Sequence, residues 1–307
     1  MDLKKLLIEF LEYLEVERGR SKKTIENYRH YVKVFLDWSK AGKPKEITAE
    51  TVRKFRLHLN RVQDQKGREL AKITQNYYII ALRNFLKYLA KRDIATLVAE
   101  KIEVGKNPTH SIDFLEPGEV ERILDSASGS DLKSLRDRAV LELLFSAGLR
   151  VSELTNLNKD QINLKSREFS VRGKGGKIRV VFISDTAKKA IEDYLAKRAD
   201  IDQALFVRVA SKGGKILSKK DNLRITPRSI QRIVKYYAAK AGIVKEVHPH
   251  TLRHSFATDL LINGADIRSV QAMLGHSSIT TTQIYTHITN QQLREVHQAF
   301  HGRRKGK

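Results

Sequence analysis

The stretch that decides the fold is HPHTLRHSFATDLLI at residues 248–262, followed by LGH at 274–276 and TTTQIYTH at 280–287. Pro249 suits the first turn of a helix, where its missing amide hydrogen leaves no hydrogen bond unmade. In such a helix, His250 and Arg253 lie three positions apart and therefore share a face. The segment predicts a helix that presents an imidazole beside a guanidinium, with a further histidine, His276, and a phenol, Tyr285, later in the chain.

Two further groups of polar residues lie upstream. AGLRVSEL, residues 147–154, closes one helical pattern and opens another, and it contains Arg150 and Glu153. GKGGK, residues 173–177, joins two strand-like runs and places Lys174 in a hairpin turn. This turn is not a nucleotide-binding phosphate loop, because strand patterns flank it on both sides and no helix start follows it.

The charge of the chain points to a polyanionic partner. Lysine and arginine total 58 against 35 acidic residues, a formal net charge of +23 over 307 residues. Such a charge repels itself unless a polyanion neutralises it, and nucleic acid is the usual polyanion. The basic residues are spread along the whole chain, which favours an extended binding surface over a basic tail.

Other features narrow the classes of function. Cysteine is absent, which excludes disulfides, thiolate nucleophiles and Cys-ligated zinc. Apolar runs fall short of the ~20 residues that cross a bilayer, so we expect a cytoplasmic protein with no membrane partner. The sequence has no tight carboxylate cluster of the two-metal kind, and His248 and His250 stand near Arg253, whose charge disfavours a second cation. We therefore expect neither a metal nor a cofactor.

Hydrophobic periodicity divides the chain into two domains, since 307 residues exceed one ordinary core. Residues 1–100 read as four helices, with Ser21 and Thr48 as N-caps of the second and third. Residues 101–115 mix Gly, Pro and polar residues without periodicity and form the predicted linker. Residues 116–307 form the second domain, mainly helical with a small antiparallel sheet.

Three finer predictions concern packing, strands and DNA contacts. The pattern places Val62 on the buried face of the third helix and Tyr77 on that of the fourth. A short third strand is predicted over 205–209, before a Gly-rich and basic stretch at 211–226. Basic residues between the apolar positions of the first domain are predicted to contact phosphates; they are Arg20, Lys22, Lys23, Arg29, Lys33, Lys72, Arg83 and Lys87.

AGLRVSEL, GKGGK, HPHTLRHSFAT and LGHSSITTTQIYTH, in this order, resemble the motifs of the tyrosine recombinase (phage integrase) family, particularly its Xer-type members. The resemblance covers residues 116–300 with specific motifs and the N-terminal half more loosely. It implies a mainly α fold, in which a helical, SAM-like core-binding domain clamps DNA and a mixed α/β catalytic domain carries the small antiparallel sheet. The stretch between Phe206 and Ile230 is longer than a compact Xer-like pattern requires.

Matched motif by motif, the resemblance implies a phosphate-binding site. Arg150 and Arg253 would grip the scissile phosphate, since guanidinium groups match its oxygens and stay charged. His276 would donate a further hydrogen bond to the phosphate. Glu153 resembles the acidic partner that orders the site around these groups.

The resemblance also implies covalent chemistry at Tyr285, which would attack the phosphorus and leave a 3′-phosphotyrosyl link and a free 5′-hydroxyl. A phenol with a pKa of ~10 needs a base at neutral pH. His250 resembles that base, and its spacing to Arg253 distinguishes it from the neighbouring His248 and His254.

The departing 5′ oxygen needs a proton. Lys174 resembles the general acid that supplies it, and Lys177, in the same turn, is the alternative. Because the covalent link conserves the phosphodiester energy, rejoining would need neither ATP nor a metal.

The resemblance implies several partners: a double-stranded DNA recombination site, other copies of the chain in a tetramer on two such sites, and an accessory DNA translocase as activator. The stretch from Thr289 to Phe300 carries a short apolar face and is predicted to be a C-terminal tail helix. It would dock in cis on its own core or in trans on a neighbouring protomer, and the sequence leaves both open.

Together these features predict a site-specific DNA recombinase with an Xer-like role in resolving replicon dimers, a task of chromosome partition and the cell cycle at the nucleoid. An integrase or excisionase-dependent recombinase of a mobile element is the alternative within the same chemistry. A DNA-binding protein that has lost catalysis is the alternative from another class, and the complete set of candidate residues argues against it.

Overall fold

The computed structural model describes residues 2–63, 67–105, 114–173, 176–209 and 223–275. By its internal contacts the chain divides into two compact units, Met1–His110 and Ser111–Lys307. The described residues are mainly helical with a small two-stranded antiparallel sheet, which confirms the predicted fold class.

The described residues of the first unit contain four α-helices, as predicted: α1 (Leu3–Val16), α2 (Lys22–Ser39), α3 (Ala49–Arg61) and α4 (Lys72–Lys91). Both predicted N-caps are present. The Ser21 hydroxyl accepts from the Thr24 amide, and the Thr48 hydroxyl accepts from the Thr51 amide, each satisfying a backbone donor that the first turn leaves unpaired. Four fully buried phenylalanines, one from each helix, form the centre of this core: Phe10, Phe35, Phe55 and Phe85.

Two predicted core positions of this unit are wrong. Tyr77 is 46% exposed, because the buried face of α4 passes through Ile79, and a residue two positions away points to the opposite side of a helix. Val62 is 37% exposed, because α3 ends at Arg61 and the chain turns away from the helical spacing.

The described parts of the predicted linker contact both cores. Ile102 is buried in the first unit, and the Asn76 amide donates to the Gly105 carbonyl at 2.8 Å. Leu115 is buried in the second unit, and its amide donates to the Ser255 hydroxyl at 2.8 Å.

The second unit contains seven α-helices and two strands within its described ranges. They are α5 (Pro117–Ser126), α6 (Leu132–Ala147), α7 (Val151–Asn156), β1 (Glu168–Arg172), β2 (Ile178–Phe182), α8 (Asp185–Ala196), α9 (Pro227–Lys240), α10 (Pro249–Ile262) and α11 (Ile267–Leu274). Helix α6 is buried on every side between Ala139 and Leu144, including the charged Glu142, as expected of a helix enclosed by its neighbours.

The sheet pairs β1 and β2 antiparallel, with Phe169 opposite Val181 and Val171 opposite Arg179. The predicted third strand at 205–209 is wrong, since among the described residues this segment makes a single isolated bridge, Val207 with Arg224, and Ala204 just before it makes another with Asn158. Leu205, Phe206 and Val207 are all buried, so the segment is fixed by packing on both sides and does not join a ladder.

Candidate active site

The turn between α6 and α7 positions the first pair of functional residues. Gly148 ends α6 with φ +55°, and a Cβ there would lie 2.4 Å from the Phe256 ring, so only glycine fits. The chain then reverses, and Arg150 becomes the N-cap of α7. Glu153, in the first turn of α7, accepts from the Arg150 backbone amide at 2.9 Å and from Arg150 Nη1 at 2.8 Å.

Glu153 is buried and ionised. Its side chain is 4% exposed, and both of its oxygens accept from Arg179, at 2.9 Å from Nη1 and 2.8 Å from Nη2. Burial raises the pKa of Glu153, but the hydrogen bonds from Arg179 and from the Arg150 amide outweigh burial and lower the pKa to about 2. The carboxylate therefore stays negative at any physiological pH.

Arg179 is a residue of this site that the sequence patterns missed. Apolar residues at Ile178, Val180 and Phe182 suggest that this face of β2 points inward, yet all three are exposed. Arg179 lies on the opposite, core-facing side with Val181. The signal that would have found it is strand register: a guanidinium at a core-facing position needs buried partners.

Helix α10 delivers Arg253 to the same place. Pro249 occupies its first turn, as the sequence predicted, and the side chain of Arg253 is buried. The Arg253 guanidinium donates to the Gly148 carbonyl and, at 2.6 Å, to the Leu274 carbonyl. Arg253 therefore joins the end of α6 to the end of α11.

The C-terminal end of α11 collects three arginines. The carbonyls of Met273, Leu274 and Gly275 are among the last acceptors of this helix, which leaves them without intrahelical donors. Arg179 Nε donates to Met273 at 2.9 Å, Arg253 to Leu274, and Arg150 Nη2 to Gly275 at 3.3 Å. Positive charge at the negative end of a helix dipole is favourable, so the arginines fix the backbone from which the chain continues into His276.

Three histidines of the HPHTLRH segment have different environments. Solvent reaches His250, yet partial desolvation, followed by the charges of Arg253 and Arg150, lowers its pKa. Burial, with His250 and Arg253 nearby, lowers the pKa of His254 to about 4. His248 is the exposed N-cap of α10, and its Nε2 lies 3.8 Å from a carboxylate oxygen of Glu246.

The structure thus brings together Arg150, Glu153, His250 and Arg253. The remaining candidates, Lys174, His276 and Tyr285, lie outside the described residues. Gly173, the residue before Lys174, lies beside Arg150 and Glu153. A Cβ atom on Gly173 would be 3.7 Å from Glu153 Oε1 and 3.8 Å from Arg150 Nη1. Lys177, the alternative in the same turn, is exposed.

Two general features of the described residues bear on the class of site. Within these ranges, no three histidine or acidic side chains come together as ligands for a metal ion. The helices of the same ranges lack the combined length and apolarity that a membrane crossing requires.

Comparison with known proteins matches both halves of the chain. The model of the "Phage integrase family" matches residues 113–292, and that of the "Phage integrase, N-terminal SAM-like domain" matches residues 7–93. The chain is similar to the tyrosine recombinase XerD of Oceanobacillus iheyensis, at 36% identity over 300 residues, covering 96% of this chain and 97% of the relative. It is equally similar to the tyrosine recombinase XerC of Actinobacillus succinogenes, at 36% identity over 308 residues and 98% of each chain.

A solved structure shares the fold. The XerH site-specific recombinase, in a post-cleavage complex with its palindromic difH substrate, superposes with a TM-score of 0.67 at 23% identity. The match covers 92% of this chain and 81% of that chain.

Proposed function

This chain belongs to the phage integrase family and is a tyrosine-type site-specific DNA recombinase, and we propose that it cleaves DNA by the attack of Tyr285 on a scissile phosphate. The observation that carries the proposal is the meeting of Arg150 and Arg253 where α11 ends, directly before His276 in the chain, with His250 near enough for both guanidinium charges to lower its pKa. Cationic and imidazole groups so arranged form a site for a phosphodiester.

Arg150 and Arg253 would stabilise the negative charge that develops on the non-bridging oxygens during attack. Both guanidiniums are held by backbone carbonyls and, for Arg150, by Glu153, so little reorganisation is needed when the phosphate arrives. Glu153 keeps its charge because its pKa is about 2. It would orient Arg150 without taking part in proton transfer, and His276 would add a hydrogen bond to the phosphate.

Proton transfer would involve a base and an acid. The lowered pKa of His250 keeps its imidazole neutral at pH 7, which is the form that accepts the phenol proton of Tyr285. Lys174 would protonate the departing 5′ oxygen, leaving a 3′-phosphotyrosyl link. A 5′-hydroxyl from the partner DNA would then attack this link, reform the phosphodiester and release Tyr285, so that the exchange is balanced without ATP.

The partner is a DNA recombination site, and the first unit would form the clamp on it. Several of the basic residues predicted to contact phosphates are exposed on α2, including Lys22, Lys23 and Arg29. Lys23 and Lys33 are paired with Glu26 and Asp37, which lie on the surface of the same helix. Such exposed pairs are weak, so both lysines would exchange their partners for phosphates.

We propose further that the chain acts as a tetramer on two DNA sites, in Xer-like resolution of replicon dimers at the nucleoid in the cytoplasm, with a DNA translocase as activator. An apolar cavity of about 440 Å³, lined by Phe145, Val180, Phe182, Phe256 and other residues, supports a docking place for the tail helix of a neighbouring protomer. The XerD and XerC relatives favour this role over mobile-element integration.

A nicked suicide substrate tests the proposed function. In such a duplex the 5′-hydroxyl diffuses away on a short fragment, so cleavage traps the enzyme. We expect the wild-type chain to form an adduct that survives SDS, and Tyr285→Phe to bind the same DNA without forming it. DNA binding by the wild type with no adduct would support the non-catalytic alternative, and an adduct with Tyr285→Phe would overturn the choice of nucleophile.

A further inference from the structure

Arg179 makes three hydrogen bonds at the candidate active site and carries none of the roles described above. Its Nη1 and Nη2 donate to the two oxygens of Glu153 at 2.9 and 2.8 Å, and its Nε donates to the Met273 carbonyl at 2.9 Å. Its side chain is 10% exposed. One guanidinium on β2 therefore joins the first turn of α7 to the last turn of α11.

A purely stabilising role does not account for this arrangement. A buried ion pair adds little net stability compared with apolar residues of similar volume, because both charges lose their hydration. What the arrangement does provide is fixed geometry, since the planar guanidinium meets the planar carboxylate in a two-point contact. Of the two groups that Arg179 holds, Glu153 contacts Arg150, and Met273 stands three residues before His276 in the chain.

The Glu153 carboxylate is shared between two arginines. Its Oε1 accepts from Arg150 Nη1 and from Arg179 Nη1, and its Oε2 accepts from the Arg150 amide and from Arg179 Nη2. Without Arg179, only the Arg150 amide would oppose a rotation that turns both carboxylate oxygens toward the Arg150 guanidinium. That rotation would draw Arg150 away from the phosphate that it is proposed to hold.

The other half of the contact concerns the end of α11. Gly275 has φ +62°, and a Cβ there would lie 2.9 Å from Arg179 Cδ, so the arginine stem packs directly against this turn. The stem and the Nε–Met273 hydrogen bond together support the backbone from which the chain continues into His276. Lysine would reach one carboxylate oxygen at most and would lack the fork.

We propose that Arg179 is a positioning residue for DNA cleavage, which holds the Glu153 carboxylate and the end of α11 so that Arg150 is aligned on the scissile phosphate. The proposal rests on the proposed function. Arg179 itself touches neither the substrate nor the reacting atoms; it acts through Glu153 and the Met273 carbonyl.

Arg179→Lys and Arg179→Met test this role in single-turnover cleavage of the nicked suicide duplex. With protein saturating, we expect the rate of adduct formation to fall about 10- to 100-fold, the loss that small misplacements of catalytic groups produce. The dissociation constant for the intact duplex should change less than about threefold, because DNA affinity depends mainly on many phosphate contacts elsewhere. A general loss of structure would weaken binding and rate together.

Arg167→Met is the matched control. Arg167 precedes β1 on the same hairpin and also donates to a carboxylate, that of Asp185 at 2.7 Å, but this pair is exposed. We expect its adduct rate to stay within about twofold of wild type.

A double-mutant cycle with Glu153→Gln supplies the second measurement. If Arg179 acts through Glu153, the variant carrying both Arg179→Met and Glu153→Gln should be no slower than the slower single variant, because residues of one network are not additive. If the rate loss of the double variant equals the product of the two single losses, Arg179 acts independently of Glu153, and the proposal is overturned.

The outcomes separate the two proposals. A wild-type adduct together with wild-type rates in Arg179→Lys and Arg179→Met overturns the positioning role alone. If Arg179→Met fails to fold, Arg179→Lys decides, and a rate loss that only follows its folded fraction in circular dichroism also overturns the role. A wild type that forms no adduct overturns the proposed function and this inference with it.

Discussion

Arginines at two places in the second unit use the same hydrogen-bonding chemistry over very different spans of chain. Arg198 donates to the Asp200 carboxylate and, at 2.6 and 2.8 Å, to the carbonyls of Ala204 and Leu205. All of its partners lie within a few residues of it. This first group, Arg198 with Asp200 and the carbonyls, holds a loop in its own shape.

The arginines at the end of α11 reach much further. Arg253 joins carbonyls from α6 and α11, Arg150 joins α7 to α11, and Arg179 joins β2 to both. At both places the arginines donate hydrogen bonds to backbone carbonyls and so fix the backbone. We propose that the arginines at the end of α11 also serve chemistry, because the chain that follows Gly275 contains His276 and Tyr285.

The largest effect should come from Arg253→Lys. Lysine keeps the charge but cannot bridge two carbonyls and a phosphate with a planar fork. We expect single-turnover adduct formation to fall about 10³-fold, roughly 4 kcal/mol of transition-state stabilisation. Arg198→Lys is the matched change in the other group and should leave the rate of the folded protein within about threefold. A comparable rate loss in Arg198→Lys would remove the distinction between the two groups.

Arg198→Met should affect stability instead of chemistry. It leaves the Asp200 carboxylate, whose pKa Arg198 helps to lower against the effect of burial, without its main partner. It also leaves the carbonyls of Ala204 and Leu205 without a donor. We expect the free energy of unfolding to fall by about 3 kcal/mol, measured by urea denaturation with circular dichroism. A loss below about 1 kcal/mol would mean that the loop holds its shape without the arginine.

The smallest effect concerns pH and sharpens the comparison further. The pKa of His254 falls to about 4 on folding, so the unfolded chain binds a proton first as the pH drops below about 6.5, and stability is lost from there towards pH 4. The Asp200 pKa is also lowered, so its contribution is lost only at more acid pH. We expect His254→Asn to reduce the loss of unfolding free energy between pH 7 and pH 5 by about 1 kcal/mol, after allowance for partial solvent screening.

The control for this pH effect is wild-type chain carried through the same urea series at both pH values. An unchanged pH dependence in His254→Asn would show that His254 is not desolvated in the native state. Replacing Asp200 with Asn should leave the interval between pH 7 and pH 5 unaffected.

Local features of the fold could be predicted from the sequence because their causes are local. The caps at Ser21 and Thr48 and the turn at Pro249 depend on side chains a few residues away. The segment 205–209 could not be placed, because its pairing depends on neighbours distant in sequence.

The site divides in the same way. The arrival of Arg150, Glu153, His250 and Arg253 at one place agrees with the family motifs, which stand in fixed order in the sequence. Arg179 could not be predicted, because the apolar residues of β2 lie on its exposed face. The register of β2 decides which face points to the core, and sequence patterns leave that register open. The catalytic roles of all these residues, and those of Lys174, His276 and Tyr285, remain predictions.

The exposed apolar row of Ile178, Val180 and Phe182 has a consequence for the protein away from DNA. In the described part of the chain β2 has a partner strand on one side only, and an apolar strand with an open edge is a template for intermolecular pairing. Mutual repulsion from a net charge of +23 opposes such encounters. Its range shrinks from ~10 Å at 0.1 M salt to ~3 Å at 1 M. Salt concentrations that dissociate the protein from DNA therefore also screen the charge repulsion that opposes aggregation. Bound DNA would keep the protein in solution as well as serve as its substrate.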